Sequence, residues 1–272
     1  MKSLLILLAV ASMSGAIAEG IGTIPFRPAA NMTRAEIRHL DLVSRPVAVL
    51  VLCPGMNGQG MRELQDHNWQ DFARTQNLGL MAISFASDPG LLDHGKGYPF
   101  AADGSGQILL DAIRKVYGKD LPVLLYGFSS GAFFTELFAD WKPDRVLAWA
   151  AHATGWCGPQ KLNRVPGLIS CGDMDESRYG GAIMYFKQGR ALGKPLLWLS
   201  LPKLSHATTG QQEQFARRFF VSVLKGSPTR GGWVDVDRKV SLVEPEASKA
   251  PAVSGWLPDR ELFEPWAQLH SP

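Results

Sequence analysis

Short, almost uninterrupted apolar runs recur along the chain and predict buried strands. A strand that is covered on both faces has this pattern, whereas a half-exposed strand alternates between apolar and polar residues. Residues 33–42 fit an early strand of mixed pattern, and the buried runs follow at 47–53, 80–85, 121–126, 146–150, 167–171 and 195–201. Their order predicts a single sheet that uses most of the chain.

Apolar residues at helical spacing fill the intervals between these runs. The clearest helix is predicted over 107–117, where the apolar residues share one face and Gly118 follows as a stop. Further helices are predicted around Trp69 and over 132–141, 181–192 and 211–224. Strands that alternate with helices indicate an α/β domain with a mostly parallel central sheet and helices on both faces.

One strand is joined to its helix through Gly127-Phe128-Ser129-Ser130-Gly131. Strand, G-x-S-x-G and helix in succession is the sequence form of a nucleophile elbow, a turn so sharp that glycines flank the serine. Ser129 then lies at the carboxyl end of a strand and the amino end of a helix, where the helix dipole favours developing negative charge. The pentapeptide also fits an ordinary turn with a capping serine.

With this elbow the chain resembles the α/β-hydrolase fold over residues 47–224. Within that fold it is similar to small secreted members without a lid, namely dienelactone-hydrolase-like proteins and polyhydroxybutyrate-depolymerase-like esterases. The fold arranges its catalytic residues in the order nucleophile, acid and histidine. The resemblance therefore implies a serine hydrolase whose other catalytic parts follow other strands.

The turn after the first buried strand supplies one oxyanion donor in that fold, usually within His-Gly-x. Here Pro54 stands where histidine is usual, so the match is partial. By position, the resemblance implies that the backbone N–H groups of Met56 and Ser130 are the two donors. Asn57 is a candidate substrate contact through its amide, or a residue that tolerates a left-handed turn.

The strand at 167–171 leads into Gly172-Asp173-Met174-Asp175, which resembles the acid turn of the fold. The functional carboxylate sits three residues past the glycine there, so the resemblance implies Asp175, with Asp173 as the alternative. A plain turn in which both carboxylates only cap the backbone is also consistent with the pattern. His206 lies between the last strand and the last helix, where the fold places its general base.

Two loops provide further candidate substrate contacts. Residues 87–104 form a long polar loop at the carboxyl end of a strand, which makes Tyr98 and Phe100 candidates, with surface packing as the alternative. The loop at 152–165 contributes Trp156 and is too short for the helical lid that many hydrolases of this fold insert there. An open nucleophile argues against a lipase that buries a long acyl chain.

The first 18 residues have the features of a cleavable signal peptide. Lys2 precedes an apolar run at 4–11, and Ala16-Ile17-Ala18 predicts a cut after Ala18. The run is shorter than the roughly 20 residues that span a bilayer. We therefore expect a secreted or periplasmic protein without a stable membrane anchor, and an apolar first helix is the alternative.

Composition narrows the classes of function. Of 272 residues 46% are hydrophobic, enough for one sizeable core, and a scattered net charge of +3 does not favour nucleic-acid binding.

The cysteines and the dispersed histidines show no metal-binding spacing, so we expect neither a metal nor an organic cofactor. Cys157 and Cys171 either form a disulfide or remain free thiols, with Cys53 left over. The pattern does not indicate an oligomeric state.

Residues 225–272 fall outside the strand–helix pattern and are rich in proline. Trp233, Trp256 and Trp266 lie there, and since three tryptophans rarely stay in water, we expect this extension to pack on the catalytic domain at 19–224. A short helix is predicted over 257–269.

The resemblance and the open site together imply a secreted hydrolase that cleaves carboxylic esters, small or polymeric, through an acyl-enzyme. Ser129 would be the nucleophile, His206 the base and Asp175 the carboxylate that orients it. A serine peptidase of the prolyl-oligopeptidase type uses the same constellation. A non-catalytic binding protein with a hydrolase-like fold is the second alternative, because it would explain Pro54 and the extension.

Overall fold

Eight strands form one sheet in the computed structural model, which describes residues 20–155, 157–226 and 231–271. In chain order they are β1 (Ile21–Pro25), β2 (Arg34–Leu40), β3 (Ala48–Cys53), β4 (Leu78–Ala86), β5 (Val123–Phe128), β6 (Val146–His152), β7 (Gly167–Gly172) and β8 (Leu196–Leu201). They lie side by side as β1-β2-β4-β3-β5-β6-β7-β8. The β1–β2 and β2–β4 pairs are antiparallel, and all pairs from β4 to β8 are parallel. The predicted mostly parallel sheet is confirmed.

The parallel strands are buried almost throughout, which explains their uninterrupted apolar sequences. Every residue of β3, β4, β7 and β8 is buried. These strands are covered on both faces, so no position is left for a polar residue to meet solvent. The sequence pattern is therefore a direct consequence of the layered architecture.

Five helices connect the strands of the sheet, namely α1 (Met61–Gln65), α2 (His67–Thr75), α3 (Ser105–Tyr117), α4 (Ser130–Trp141) and α5 (Glu176–Ala191), and α6 (Gly210–Leu224) follows β8. The helices cover both faces of the sheet. Two neighbouring residues of β5 show this, because successive residues of a strand point to opposite sides. The ring of Tyr126 meets that of Trp69 on α2 with centroids 4.7 Å apart. A Cβ on Gly127 would overlap the backbone of Gly131 on α4.

The connection from β6 to β7 runs over residues 153–166, and its described part contains no helix. The predicted absence of a lid at this point agrees with the structure. Ser129 is partly exposed beneath this end of the sheet. Trp156, a candidate substrate contact in this loop, lies outside the described residues, as does the signal peptide expected at 1–18.

The C-terminal extension forms a small sheet of its own. Strands β9 (Gly232–Asp235), β10 (Val240–Leu242) and β11 (Ser254–Leu257) pair antiparallel, and helices α7 (Glu244–Lys249) and α8 (Phe263–Leu269) belong to the same segment. The helix predicted over 257–269 is therefore shorter than expected, because Leu257 ends a strand and a 3₁₀ turn precedes α8.

The extension is docked on β8 and α5 by buried contacts. The indole N–H of Trp266 donates to the carbonyl of Trp198 (2.8 Å), and the guanidinium of Arg190 lies 4.4 Å from the centroid of the Trp233 ring. His270 accepts the backbone N–H of Ser200 at Nδ1 (3.0 Å). No helix in the described parts of the chain is both long and apolar enough to span a bilayer.

His270 is expected to make the stability of this docking depend on pH. Its Nε2–H donates to the carbonyl of Val236 (2.7 Å), so both ring nitrogens are engaged and the ring must be neutral. Burial lowers the pKa of His270 to about 4, against about 6.5 in the unfolded chain. Its contribution is therefore present above pH 6.5 and is lost as the pH falls through 6.5 towards 4.

Urea unfolding of the wild type and of His270→Gln at pH 7.5 and pH 5.0 checks this expectation. The wild type should lose about 2 kcal/mol more unfolding free energy than the variant over this interval. Burial also lowers the pKa of His152 to about 4, but that residue is present in both proteins and its effect cancels. Equal losses in the two proteins would contradict the role given to His270.

Candidate active site

Ser129 lies in a strained turn between β5 and α4. Its φ of 54° and ψ of −122° are outside the regions that non-glycine residues favour, and it is the N-cap of α4. Close packing on both sides requires glycine, because a Cβ on Gly131 would overlap the carbonyl oxygens of Cys53 and Pro54. The turn therefore has the sharp geometry that the G-x-S-x-G motif predicts.

The structure brings the three predicted catalytic side chains together. Ser129 Oγ lies 3.0 Å from His206 Nε2, and His206 Nδ1 lies 2.6 Å from Asp175 Oδ2. The carboxylate can only accept at this contact, so Nδ1 carries the proton and Nε2 is left to accept the serine hydroxyl. The side chain of Asp175 is 3% exposed and that of His206 is 38% exposed. A buried carboxylate thus holds an imidazole that reaches solvent.

Asp173, the alternative acid, occupies a different position. It is exposed, and its Oδ1 accepts the backbone N–H of Lys203 (2.7 Å). This contact ties the acid turn to the loop that precedes His206. Asp173 therefore has a structural partner and no contact with the imidazole among the described interactions.

A second histidine, which sequence reasoning missed, supports the loop that carries His206. His152 is fully buried at the end of β6, and its Nε2–H donates to the carbonyl of Ala207 (2.8 Å) while Nδ1 accepts from the Ser170 hydroxyl (2.9 Å). Burial keeps this imidazole neutral, as its lowered pKa indicates. The ring of Phe128 lies between the two histidines and stacks on His152.

The turn after β3 packs directly against the elbow. The N–H of Gly58 donates to the carbonyl of Gly55 (2.9 Å), which closes a turn with Met56 and Asn57 at its centre. A Cβ on Gly55 would lie 3.6 Å from Cβ of Ser129. Met56 is thus carried beside the nucleophile, opposite the first residue of α4, Ser130, whose N–H has no acceptor within the helix.

Arg34 and Asn57 hold this turn, residues 55–58, in place. It is called the oxyanion turn because the resemblance implies that Met56 is an oxyanion donor. The guanidinium of Arg34, on β2, donates from Nη2 to the carbonyls of Asn57 (2.6 Å) and Gly58 (3.0 Å) and from Nε to that of Ser84 (3.3 Å). The Asn57 amide donates to the carbonyl of Ser87 (3.0 Å) and accepts its N–H (3.0 Å).

These contacts correct one prediction and add a residue. The Asn57 amide is used within the protein, so it does not act as a substrate contact, while its φ of 57° agrees with the left-handed alternative. Arg34 lacks any motif, and its partners are backbone carbonyls at least 23 residues away. No sequence signal could have identified it.

Tyr98 is also corrected, because its side chain is 1% exposed and packs edge-on against Phe85. Burial raises the pKa of the Tyr98 hydroxyl, and interactions with the backbone of Asn57 and the side chain of Ser130 act in the opposite direction. It therefore supports the oxyanion turn from below rather than meeting substrate. Phe100 is partly exposed beside Gly95, and its role in substrate binding stays a prediction.

Cys157 and Cys171 are free thiols, so the disulfide alternative is wrong. The thiol of Cys157 donates to the buried carboxylate of Glu136 (2.7 Å), whose pKa burial raises to about 8. Cys171 lies within β7 with its sulfur 3.9 Å from Asp175 Oδ2. Each sulfur faces a carboxylate rather than the other sulfur.

Arg34→Lys is expected to lower kcat about tenfold while KM changes less than about threefold. A single ammonium cannot bridge two carbonyls of the turn and the edge of β4, so the Met56 N–H would be less well placed, and losing an oxyanion donor outright costs about 100- to 1,000-fold. Arg38→Lys is the matched control, because Arg38 lies on the same strand and pairs with Glu36. Equal kinetics of the two variants would contradict the role of Arg34.

Comparison with known proteins supports the architecture. No protein-family model matches the chain, and no curated protein sequence does so either. An S-formylglutathione hydrolase from Agrobacterium tumefaciens aligns with a TM-score of 0.56 and 12% identity over 75% of this chain and 94% of its own. A carboxylesterase from a metagenomic library, EstE1, gives 0.53 and 13% over 77% and 90%. Poly(aspartic acid) hydrolase-1 from Sphingomonas sp. KT-1 gives 0.51 and 17% over 74% and 98%. The chain has the α/β-hydrolase fold.

Proposed function

We propose that this chain is a serine hydrolase that cleaves carboxylic esters through an acyl-enzyme. The observation that carries the proposal is the continuous hydrogen-bonded chain from Ser129 through His206 to Asp175, next to the oxyanion turn. A serine hydroxyl alone is a poor nucleophile at neutral pH, and this arrangement supplies the base that activates it. The fold orders the same three residues in the same way.

Each residue has a distinct role in the proposed reaction. His206 Nε2 takes the proton of Ser129 Oγ as the oxygen attacks the ester carbonyl, and it later gives that proton to the departing alkoxide. Asp175 holds the imidazole in the tautomer with Nδ1 protonated and stabilises the imidazolium. The N–H groups of Met56 and Ser130 bind the oxyanion. Water then attacks the acyl-enzyme, and His206 Nε2 takes a proton from the water and gives it to Ser129 Oγ as the carboxylic acid departs.

The accessible nucleophile argues against a lipase that buries a long acyl chain under a lid. Ser129 is partly exposed, and the described part of the loop at 153–166 forms no helix over it. The C-terminal extension docks on β8 and α5 rather than across the serine, which weakens the case for a non-catalytic binding protein. Export through the sequence at 1–18 is part of the same proposal and rests on sequence alone.

Covalent labelling tests the nucleophile and the reaction class together. A fluorophosphonate should modify Ser129 stoichiometrically, as located by peptide mass spectrometry, and should abolish p-nitrophenyl acetate hydrolysis in parallel. A matched aminoacyl p-nitroanilide measures amide cleavage, and we expect it to be a much poorer substrate than the ester. Labelling of another residue, or hydrolysis that survives full modification of Ser129, would overturn the assignment.

A further inference from the structure

A cavity of about 540 Å³ lies beside His206, on the face of the sheet that α1, α2 and α6 cover. Its walls come from the ends of β3 and β5, from both short helices and from the loop that leads from His206 into α6. The volume falls within the roughly 300–1,000 Å³ of small-molecule sites. Trp69 and Tyr126, two buried aromatic residues of the core, also line it.

The cavity adjoins the reacting atoms at His206. His206 lines it, together with Phe128, which precedes the nucleophile, and Pro54, which precedes the oxyanion turn. The departing oxygen of an ester must come within hydrogen-bond reach of His206 Nε2 to receive its proton. The alcohol half of the substrate therefore extends on the histidine side, away from the donors that hold the carbonyl oxygen.

The lining offers hydrogen-bond donors and acceptors together. Arg62 supplies N–H donors, Glu63 and Glu213 supply carboxylate acceptors, and Thr208 offers a hydroxyl that does both. Burial, followed by the negative charge of Asp66, raises the pKa of Glu213, and the positive charges of Arg217 and Arg62 act in the opposite direction. A hydrocarbon placed here would desolvate these groups without replacing their hydrogen bonds.

We propose that this cavity binds the alcohol half of the ester and selects a hydroxyl-rich alcohol, such as a sugar. Hydroxyl groups both donate and accept, so they satisfy an arginine and neighbouring carboxylates at once. This inference rests on the proposed serine-esterase function and defines its substrate class.

Two acetate esters of similar shape test whether the cavity selects the alcohol half by its hydroxyl groups. Methyl 6-O-acetyl-glucopyranoside and cyclohexylmethyl acetate share the acyl group, a primary ester oxygen and a six-membered ring, and they differ mainly in hydroxyl groups. We expect kcat/KM to favour the sugar ester at least tenfold. Acetylcholine forms a third arm, because a cavity that selects a cation would favour it over both.

Substitutions in the lining should change the kinetics of the two esters in opposite directions. Arg62→Ala and Glu213→Ala are each expected to raise KM for it about tenfold with kcat nearly unchanged, since a hydrogen bond to a charged group that persists in the transition state contributes to uniform binding. For cyclohexylmethyl acetate kcat/KM should rise instead, because each substitution removes a charged group that this ester desolvates without replacing its hydrogen bonds. Glu246→Ala, an exposed substitution on α7, is the matched control and should change neither ester.

The outcomes distinguish this inference from the function on which it rests. Equal kcat/KM for the sugar and cyclohexyl esters, or a preference for acetylcholine, overturns the hydroxyl-rich substrate class while leaving the esterase in place. A sugar preference that survives both lining substitutions places the alcohol elsewhere and also overturns it. If no ester is hydrolysed by a protein that folds, the serine-esterase function itself fails.

Discussion

Asp175→Asn is expected to reduce kcat for p-nitrophenyl acetate by roughly 10,000-fold. The carboxylate accepts the proton of His206 Nδ1 at 2.6 Å, whereas an asparagine amide can present its NH₂ group there. The imidazole would then hold its proton on Nε2, which faces Ser129 Oγ at 3.0 Å and could no longer accept the serine proton. Size and shape hardly change, so KM should move little.

Asp173→Asn is the matched control for this substitution. The residue lies two positions away in the same turn, is exposed, and accepts only the backbone N–H of Lys203 through Oδ1, a contact that asparagine retains. We expect its kcat to stay within about threefold of the wild type. Stopped-flow or steady-state assays of both variants at pH 7.5 decide the point. Similar losses in both, or a larger loss in Asp173→Asn, would remove Asp175 from the proposed role.

The central strands could be predicted because a strand that is buried on both faces has an uninterrupted apolar sequence. The six apolar runs correspond to β3 through β8, with ends that differ by a few residues. The elbow could be predicted for a different reason, since steric exclusion around Ser129 allows only glycine at 127 and 131. In both cases the physical constraint acts on residues adjacent in the chain.

Other elements depend on contacts that a linear pattern does not contain. Strand β1 has the sequence Ile-Gly-Thr-Ile-Pro and is mostly solvent-accessible at the sheet edge, so it has no apolar run. Helix α5 begins at Glu176 rather than at 181, because it starts directly from the acid turn and passes through Gly180 and Gly181. The three short strands of the extension are defined by pairing with one another.

The same distinction applies to the residues of the candidate active site. The G-x-S-x-G motif identifies Ser129 as a candidate from the sequence alone. Arg34 and His152 belong to no motif, because they act through backbone carbonyls of distant loops. Every residue has a backbone carbonyl, so the residue type does not show which carbonyl accepts a hydrogen bond. Tyr98 and Asn57 were found as polar side chains in the right loops, but their partners inside the protein became visible only in the fold.

Gly131→Ala is expected to lower kcat/KM at least roughly 100-fold and the unfolding free energy by about 1–3 kcal/mol. The added methyl group would overlap the carbonyl oxygens of Cys53 and Pro54, which are backbone atoms that cannot rotate away. Either α4 must shift, which displaces the Ser130 N–H, or the end of β3 must shift, which displaces the Met56 N–H. In both cases one of the two proposed oxyanion donors is misplaced.

Gly180→Ala is the matched control. It adds the same methyl group, but its expected effect on the unfolding free energy is the opposite. Gly180 lies in α5 with nothing within 4 Å of an added Cβ, so alanine should stabilise the helix by about 0.5–1 kcal/mol and leave kcat/KM unchanged. Urea unfolding and p-nitrophenyl acetate kinetics of both variants give the comparison. Wild-type activity in a folded Gly131→Ala protein would mean that the oxyanion turn is not held against the elbow.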